Sequence, residues 1–167
     1  MSVIASLVVA QDGSTVKGGI SSGVASMEDR NRFLARRRKA DCIIIGGNTA
    51  RNEPYHRTPV PVVVISRSLT SALSNNRLAF WWNTSPEKAI ARAKKTFGEN
   101  ILVEAGPSLV TEMIQAGLID GLELSVTSEN GGEDKLDFQS LLMNFQSVTK
   151  ENIGDTTFYS ASRNLKG

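Results

Sequence analysis

The feature that most constrains the fold of this chain is a unit that occurs twice: an apolar strand, a glycine turn and a helix start. Residues 42–45, Cys-Ile-Ile-Ile, lead into Gly-Gly-Asn-Thr at 46–49. Residues 101–104, Ile-Leu-Val-Glu, lead into Ala-Gly-Pro-Ser-Leu at 105–109. An unbroken apolar run that meets glycines and a helix start is typical of a parallel strand buried on both faces. We therefore predict an α/β layer domain with a mostly parallel sheet.

The remaining elements follow from apolar runs, caps and turn residues. Ser26 is a good N-cap for a helix that extends to about Lys39, with Asp29 three residues later. The expected strands are residues 3–10, 60–65, 78–82, 122–127, 147–150 and 156–161, the expected helices also include 86–97, and 128–137 reads as a loop. With no repeat and no linker, residues 1–167 are predicted to form one domain.

Composition excludes several classes of function. The 19 Lys and Arg nearly balance the 17 Asp and Glu, which argues against a general nucleic-acid binder. One Cys and one His cannot supply a Cys/His zinc site or an internal disulfide, so we predict no metal and a reducing, cytoplasmic location. We also expect neither a signal segment nor a membrane anchor.

The two glycine turns are the first candidate ligand site. Glycine lets a phosphate approach the backbone, and the unpaired amides of a helix N-terminus favour an anion. Open α/β sheets bind ligands at the carboxyl ends of their strands, where Gly46, Gly47 and Gly106 would all lie. A single such turn more often serves only as a tight connection, but two in one small sheet favour a pyrophosphate-binding role.

Individual polar residues carry more than one interpretation. Glu104 ends an apolar strand, where a carboxylate is costly to bury unless it gains hydrogen bonds; it either faces a ligand or caps the next helix. Asp12 is expected to form a turn with Gly13. His56 is either solvated or near a substrate phosphate. The basic end of the first predicted helix is expected to be mostly solvated, including Arg36, Arg38 and Lys39, and a nucleic-acid role for it is disfavoured.

Several segments form a recognisable series: residues 6–13, 19–22 and 26–29, Arg37, and residues 40–49, 103–109 and 116–120. In the order and approximate spacing of these segments, the chain resembles a known family, the pyrimidine reductase of riboflavin biosynthesis. The resemblance implies a three-layer fold like that of dihydrofolate reductase. It also implies an oxidoreductase that uses NADPH to reduce the ribosyl group of a 5-amino-6-ribosylamino-pyrimidine phosphate to the ribityl form.

The resemblance assigns expected roles to particular residues. Thr49, Glu53 and the two glycine turns would contact NADPH, with Ser66 and Arg67 near the adenosine ribose. Ser21, Arg37, Arg57 and Glu104 would face the substrate, and no residue is identified as the proton donor. The full set expected at the cofactor is Gly46, Gly47, Thr49, Glu53, Ser66, Arg67, Gly106, Pro107, Ser108 and Leu109. Ser66-Arg67 could instead be a simple polar turn.

Other functions and the state of assembly remain open at this point. A reductase of the same fold could act on another substrate, such as a dihydrofolate-type pterin, and a non-catalytic nucleotide- or RNA-binding module is a second alternative. The chain lacks the His-x-Glu and Pro-Cys-x-x-Cys motifs of a zinc deaminase, so we expect another protein to perform any deamination. A homodimer is expected, by resemblance and because the strand at 122–126 could form an apolar sheet edge.

Overall fold

The computed structural model describes residues 2–68 and 71–163, in which two helical layers enclose one central sheet. The strands are β1 Ser2–Ala10, β2 Ser14–Val16, β3 Cys42–Gly46, β4 Val62–Ile65, β5 Ala79–Trp82, β6 Asn100–Val103, β7 Gly121–Thr127, β8 Glu133–Lys135, β9 Ser147–Ile153 and β10 Thr156–Ser162. The helices are α1 Met27–Lys39, α2 Gly47–Asn52, α3 Pro86–Phe97, α4 Pro107–Gln115 and α5 Phe138–Leu142. A 3₁₀ turn spans Ser21–Gly23.

The eight-stranded sheet has the order β5-β4-β3-β6-β1-β7-β10-β9. Neighbouring strands from β5 to β7 pair in parallel, and β10 pairs antiparallel with β7 and β9. This arrangement confirms the predicted three-layer α/β fold with a mostly parallel sheet. It also brings the carboxyl ends of β3, β6 and β1 side by side, because these three strands are neighbours.

Alternate residues of the central strands enter two different cores. Ile44 on β3 faces the apolar cluster beneath α3, α4 and α5, whereas Ile43 and Ile45 face a second cluster that includes Tyr55 and Leu73. Each of these side chains is at most 4% exposed. The alternation is the pleat of a strand covered on both faces, so the apolar run needs no polar side.

Helix α1 packs against the sheet through charged and polar side chains instead of an apolar stripe. Its N-cap is Ser26, whose hydroxyl accepts a hydrogen bond from the Asp29 amide (3.2 Å) and pairs with the Thr156 hydroxyl (2.6 Å). Arg32 lies over the ring of Phe158. Arg36 donates to the hydroxyl of Ser6 on β1 (2.9 Å). The polar residues of this helix are therefore part of the interior, which periodicity alone did not indicate.

Three expectations need correction. The strand at 121–127 is not a sheet edge, because β7 lies between β1 and β10; the edge strands are β5 and β9, so the argument for a dimer through this strand is wrong. The segment 128–137 is not only a loop, because β8 pairs with β2 in a two-stranded ribbon. Arg36 is not a surface residue, since its Nε atom is buried.

Candidate functional site

A groove of about 1570 Å³ lies at the carboxyl ends of β1, β3 and β6. Single small-ligand sites occupy about 300–1,000 Å³, so this groove can hold two ligands together. One half is formed by the two glycine turns at 46–49 and 105–109. The other half is formed by the segment 19–30 at the start of α1 and by residues 134–136 at the ribbon. Glu104, directly after β6, also lines the groove.

The two glycine turns are close together and leave their backbones open. Gly46 is the N-cap of α2 and Gly106 is the N-cap of α4. A Cβ atom on Gly106 would meet only the Thr49 hydroxyl, at 3.9 Å, whereas one on Gly46 would lie 3.3 Å from Leu109 Cδ2. The first amides of a helix have no partner within that helix, so both turns offer donors to an anion. These residues therefore fit the diphosphate of a dinucleotide cofactor.

Gly47 is glycine for a different reason. A Cβ atom at this position would lie 2.9 Å from Ser66 Oγ and 3.2 Å from Arg51 Nη1. A side chain at this position would therefore require the Ser66 hydroxyl and the Arg51 guanidinium to shift. The same packing brings Ser66 next to the first glycine turn.

Ser66 and Arg67 line a second pocket of about 520 Å³, together with residues 83–86. Ile65, Leu109 and Glu112 line both this pocket and the main groove, so the two are continuous. Arg67 is exposed, and Ser66 Oγ accepts a hydrogen bond from the Ser68 amide (3.1 Å). The structure thus brings both residues close to the part of the groove that is formed by the two glycine turns. Their expected contact with a cofactor stays a prediction.

A buried ion pair occupies the floor of the groove. Arg37 donates from Nε and Nη2 to the carboxylate of Glu104, at 2.7 to 3.1 Å, and the Tyr55 hydroxyl donates to Glu104 Oε1 at 2.7 Å. Burial alone would lower the pKa of Arg37, but the hydrogen bonds and charge of Glu104 raise it above its ordinary value. Burial and the neighbouring carboxylate raise the pKa of Tyr55 as well. Glu104 is thus the shared acceptor of two buried donor side chains, Arg37 and Tyr55.

This arrangement places both Glu104 and Arg37 at the groove, as the sequence predicted, but pairs them with each other. Glu104 does not cap the following helix, and Arg37 is not solvated, because the two side chains form a buried ion pair. Tyr55 was missed entirely. Its signal in the sequence is weak, because a tyrosine between Pro54 and His56 reads as part of a polar loop.

Two further predicted residues meet across the groove. The amide of Ser21 donates to Glu53 Oε1 at 2.9 Å, and both residues line the cavity. The carboxylate of Glu53 therefore holds the 3₁₀ turn in place. The expected contact between Glu53 and a cofactor stays a prediction, and the hydrogen bond to Ser21 fixes the carboxylate position from which Glu53 would make it.

Arg57 and His56 lie outside the groove. Both are exposed, and His56 Nδ1 pairs with Asn75 Oδ1 at 3.0 Å. The reason is the insertion of Tyr55 into the core, where it is 4% exposed, while the Asn76 side chain holds its carbonyl at 2.9 Å. The residues that follow Tyr55 are on the protein surface. The structure therefore does not bring Arg57 to the other predicted substrate residues.

Asp29 is a groove residue that the sequence interpretation treated only as part of a helix cap. It lines the cavity at the start of α1 and is 6% exposed. Burial raises the pKa of the Asp29 carboxyl, against the opposing effects of a hydrogen bond from Ser125 and the charge of Arg36. Burial likewise lowers the pKa of Arg36. A buried carboxyl in a cleft with a shifted pKa is a common feature of functional sites.

The other singled-out residues have structural environments. Asp12 forms the expected turn, accepting from the Ser14 amide and hydroxyl and from the Gly131 amide. Burial raises the pKa of the Cys42 thiol to about 12, as suits a buried apolar side chain. No group of three or more potential metal ligands occurs within residues 2–68 and 71–163. No helix in those same ranges is long and apolar enough to cross a membrane.

The sheet order, the groove at its carboxyl edge and the two glycine turns define an α/β protein with a groove suited to a phosphate-bearing ligand beside a buried carboxyl group. Comparison with known families makes this class specific. Residues 1–154 match the model of the RibD C-terminal domain, and the chain belongs to that family. The chain is thereby an oxidoreductase, of the pyrimidine reductase type found in riboflavin biosynthesis, a type that works with a nicotinamide cofactor.

Solved structures share the fold. The chain is similar to a pyrimidine reductase-like protein from Corynebacterium diphtheriae, with 16% identity, a TM-score of 0.67, and coverage of 96% of this chain and 91% of the other. It is also similar to a diaminohydroxyphosphoribosylaminopyrimidine deaminase/5-amino-6-(5-phosphoribosylamino)uracil reductase from Thermotoga maritima, with 14% identity, a TM-score of 0.68, and 97% and 56% coverage.

A third similar structure is RibD from Acinetobacter baumannii, with 16% identity, a TM-score of 0.68, and 96% and 57% coverage. The chain thus spans just over half the length of these last two proteins. At such identities the likeness establishes the fold alone. No curated protein matches the sequence.

Proposed function

We propose that this protein is an NADPH-dependent reductase that converts the ribosyl group of a 5-amino-6-ribosylamino-pyrimidine phosphate to the ribityl form. The observation that carries the proposal is the groove itself: two open helix N-termini and the buried carboxyl group of Glu104 all line it. A cofactor diphosphate suits the first feature. A pyrimidine bearing amino groups suits the second, because a carboxylate is an acceptor only.

The residues of the chain position the reactants in this reaction. When bound, the nicotinamide cofactor would supply the hydride, and the helix N-termini capped by Gly46 and Gly106 would hold its phosphates. The ion pair of Arg37 and Glu104 fixes the floor of the groove, so the pyrimidine meets a rigid surface. Glu53 holds the turn at Ser21 over the substrate half.

The substrate phosphate needs a cation that is free to bind it. Among the described residues, the Lys and Arg side chains that line the groove are Arg30, Arg37 and Lys135. Arg37 is committed to Glu104, and Lys135 lies 3.5 Å from Asp12 at a largely exposed site. We assign the phosphate to Arg30 and Lys135 in place of Arg37 or Arg57.

The test of the function is consumption of NADPH with each of the two pyrimidine phosphates, the deaminated and the non-deaminated form. Oxidation of NADPH with one of them, and formation of the ribityl product, is the expected result. Turnover that does not require the phosphate, or that occurs with a dihydropterin, would favour the alternative reductase. Binding of NADPH with no oxidation in any case would favour the nucleotide-binding alternative.

The cofactor preference has its own test at Arg67. NADPH carries about −1.5 to −2 additional charges on its 2′-phosphate, and a guanidinium suits that group. Arg67→Ala should weaken NADPH binding by about 1.5–3 kcal/mol and leave NADH nearly unchanged. The control is Arg77→Ala, which removes another exposed arginine that does not line the pocket. Dissociation constants that change equally for both cofactors would remove Arg67 from the site.

The proposal includes a homodimer in the cytoplasm. The dimer rests on the resemblance to the reductase family, since β7 does not provide the expected edge. Light scattering at micromolar concentration should give twice the chain mass of 18.0 kDa. A measured mass near 18.0 kDa would contradict it.

A further inference from the structure

Two carboxyl groups are buried at the groove, and their surroundings differ. Glu104 is 7% exposed and Asp29 is 6% exposed, and both line the same cavity. Glu104 accepts three hydrogen bonds from the guanidinium of Arg37 and one from the Tyr55 hydroxyl. All of these partners are donors, so the carboxylate of Glu104 is committed as an acceptor to Arg37 and Tyr55.

Asp29 has a different set of neighbours. Its carboxyl is held by the hydroxyl of Ser125 on β7, which is 1% exposed. Arg36, on the same helix, acts on Asp29 through its charge and directs its Nη2 to Ser6 on β1. Burial favours the neutral form of a carboxyl group over its charged form. Asp29 has a hydroxyl partner but no bidentate cation to offset this effect of burial.

The charged groups around Asp29 come from every element packed against α1. The positive charge of Arg36 interacts with three carboxyl groups. They belong to Glu123 on β7, to Asp29, and to Glu104 at the end of β6. Arg32 of α1 is bonded to Glu151 on β9 at 2.6 Å, on the outer side of the helix. Across the cavity, β8 contributes Asp134 and Lys135. None of the hydrogen bonds described in residues 2–68 and 71–163 joins these groups to the Asp29 carboxyl.

Asp29 also lies in the half of the groove that the glycine turns leave free. The lining of the same groove includes Ser6 and Val8 of β1, and Ser26 and Phe33 at the N-cap and in the middle of α1. The half with Gly46 and Gly106 is occupied by the phosphates of the cofactor in the proposed function. Asp29 therefore faces the space left to the second reactant.

We infer that Asp29 is the catalytic acid that protonates the sugar-bearing nitrogen of the substrate during the reduction. The inference rests on the proposed function. In the opened ribosylamino group, C1′ accepts a hydride from the nicotinamide and its double bond to nitrogen becomes a single bond. The electron pair of that double bond stays on nitrogen, which takes the proton from an Asp29 oxygen. Asp29 is left as a carboxylate and regains a proton from water at the mouth of the groove.

The decisive variant is Asp29→Asn, which keeps the shape of the side chain and removes its proton. The wild-type kcat should fall as pH rises through the titration of Asp29, because only the protonated acid acts. The variant should lose about 10²- to 10⁴-fold in kcat together with that dependence on pH, with substrate KM and cofactor Kd little changed. Asp29→Glu should recover part of the activity.

Two further variants separate this role from a structural one. Glu28→Gln removes the other acidic residue of the first turn of α1, which does not line the groove, and should leave kcat unchanged. Ser125→Ala removes the hydrogen bond that lowers the pKa of Asp29, so the fall in kcat should move to higher pH. Circular dichroism of each variant checks the fold.

A second readout needs neither substrate nor cofactor. The infrared spectrum of the wild type minus that of Asp29→Asn should show a protonated carboxyl band that disappears as pH is raised. An Asp29 that is ionised at every pH from about 5 to about 9, or a variant with wild-type kcat and pH profile, would overturn the inference. If the wild type consumes no NADPH with either pyrimidine, the proposed function fails instead, and the catalytic role fails with it.

Discussion

At the residue scale, the ion pair at the groove floor is a fixed part of the interior. The side chains of Arg37 and Glu104 are 10% and 2% exposed, and Phe33 and Tyr55 both lie against the guanidinium. Removing one member of a buried pair leaves the other charge without compensation, which costs more than the pair itself contributes. Substitutions here will therefore change stability as well as binding.

Glu104→Gln should lower the free energy of unfolding by about 3–5 kcal/mol, because Arg37 would stay buried without a counter-charge. The matched control is Glu99→Gln. Glu99 forms an exposed pair with Lys94 at 3.9 Å, so its loss should cost about 0–1 kcal/mol. Urea denaturation of both variants gives the comparison. A loss at Glu104 no larger than at Glu99 would show that the pair is solvated.

The pH dependence of stability provides a separate test of Asp29. Its pKa is raised in the folded protein by burial, so the wild type loses stability as pH rises from the unfolded value of about 3.9 through the folded one. Asp29→Asn lacks this loss. The difference in unfolding free energy between variant and wild type should therefore favour the variant more at pH about 7 than at pH about 4.

Asp137 supplies a control of opposite sign. The Ser140 hydroxyl and amide lower the pKa of this N-cap carboxyl of α5. Its contribution to stability is present above the unfolded pKa and is lost as pH falls through the folded one. Asp137→Asn should thus be less stable than the wild type near neutral pH, and the difference should shrink in acid. Equal pH profiles for the two variants would contradict the assignment at Asp29.

At the element scale, the groove depends on how two strands enter two helices. Gly46 and Gly106 are the N-caps of α2 and α4. Pro107 suits the first position of α4, because an N–H group there would have no partner within the helix. The two turns are neighbours because β3 and β6 are hydrogen-bonded along Cys42, Ile43 and Ile44. A ligand that reaches one turn also reaches the other.

Gly106→Ala separates binding from folding at this point. The new Cβ would lie 3.9 Å from Thr49 Oγ1, an ordinary contact, so the unfolding free energy should change little. Because the methyl group would fill the space where a phosphate approaches the backbone, the cofactor Kd should rise by at least ~10-fold. Gly47→Ala is the contrasting case: its Cβ would meet Ser66 Oγ at 2.9 Å, so the Ser66 hydroxyl would have to move. Unchanged cofactor affinity in Gly106→Ala would remove this turn from the site.

At the scale of the whole molecule, the two cores share the strands β3, β4 and β6. On β3, Ile44 contributes to the core on one face, and Ile43 and Ile45 contribute to the core on the other. None of these three strands can leave one core without leaving both. Residues 2–68 and 71–163 should therefore unfold as a unit.

The expected result is a single transition in which tryptophan fluorescence and far-ultraviolet circular dichroism coincide. Trp81 and Trp82 report on β5, an edge strand of the sheet, whereas circular dichroism reports on all elements. Urea titrations followed by both signals make the comparison. Separate midpoints would show that the β5 edge unfolds independently and that the chain is not one cooperative domain.

Local information was enough to predict most of the fold. The apolar run at 42–45, the glycines that follow it and the cap at Ser26 act over a few residues, so the strand, the turn and the helix start can be read from the sequence alone. The parallel sheet follows from the repetition of that unit. The two glycine turns of the candidate site were predicted for the same reason.

Tertiary structure decided the contacts between residues distant in sequence. Arg37 and Glu104 are 67 positions apart, and they meet because β6 lies beside β1 under α1. Ser125 reaches Asp29 because β7 is the other neighbour of β1, which also makes β7 an interior strand instead of an edge. Tyr55 enters the core while Arg57 stays outside it. Strand order is set by the total burial of all strands and helices together, so no local pattern could determine which charges would be buried or what would face them.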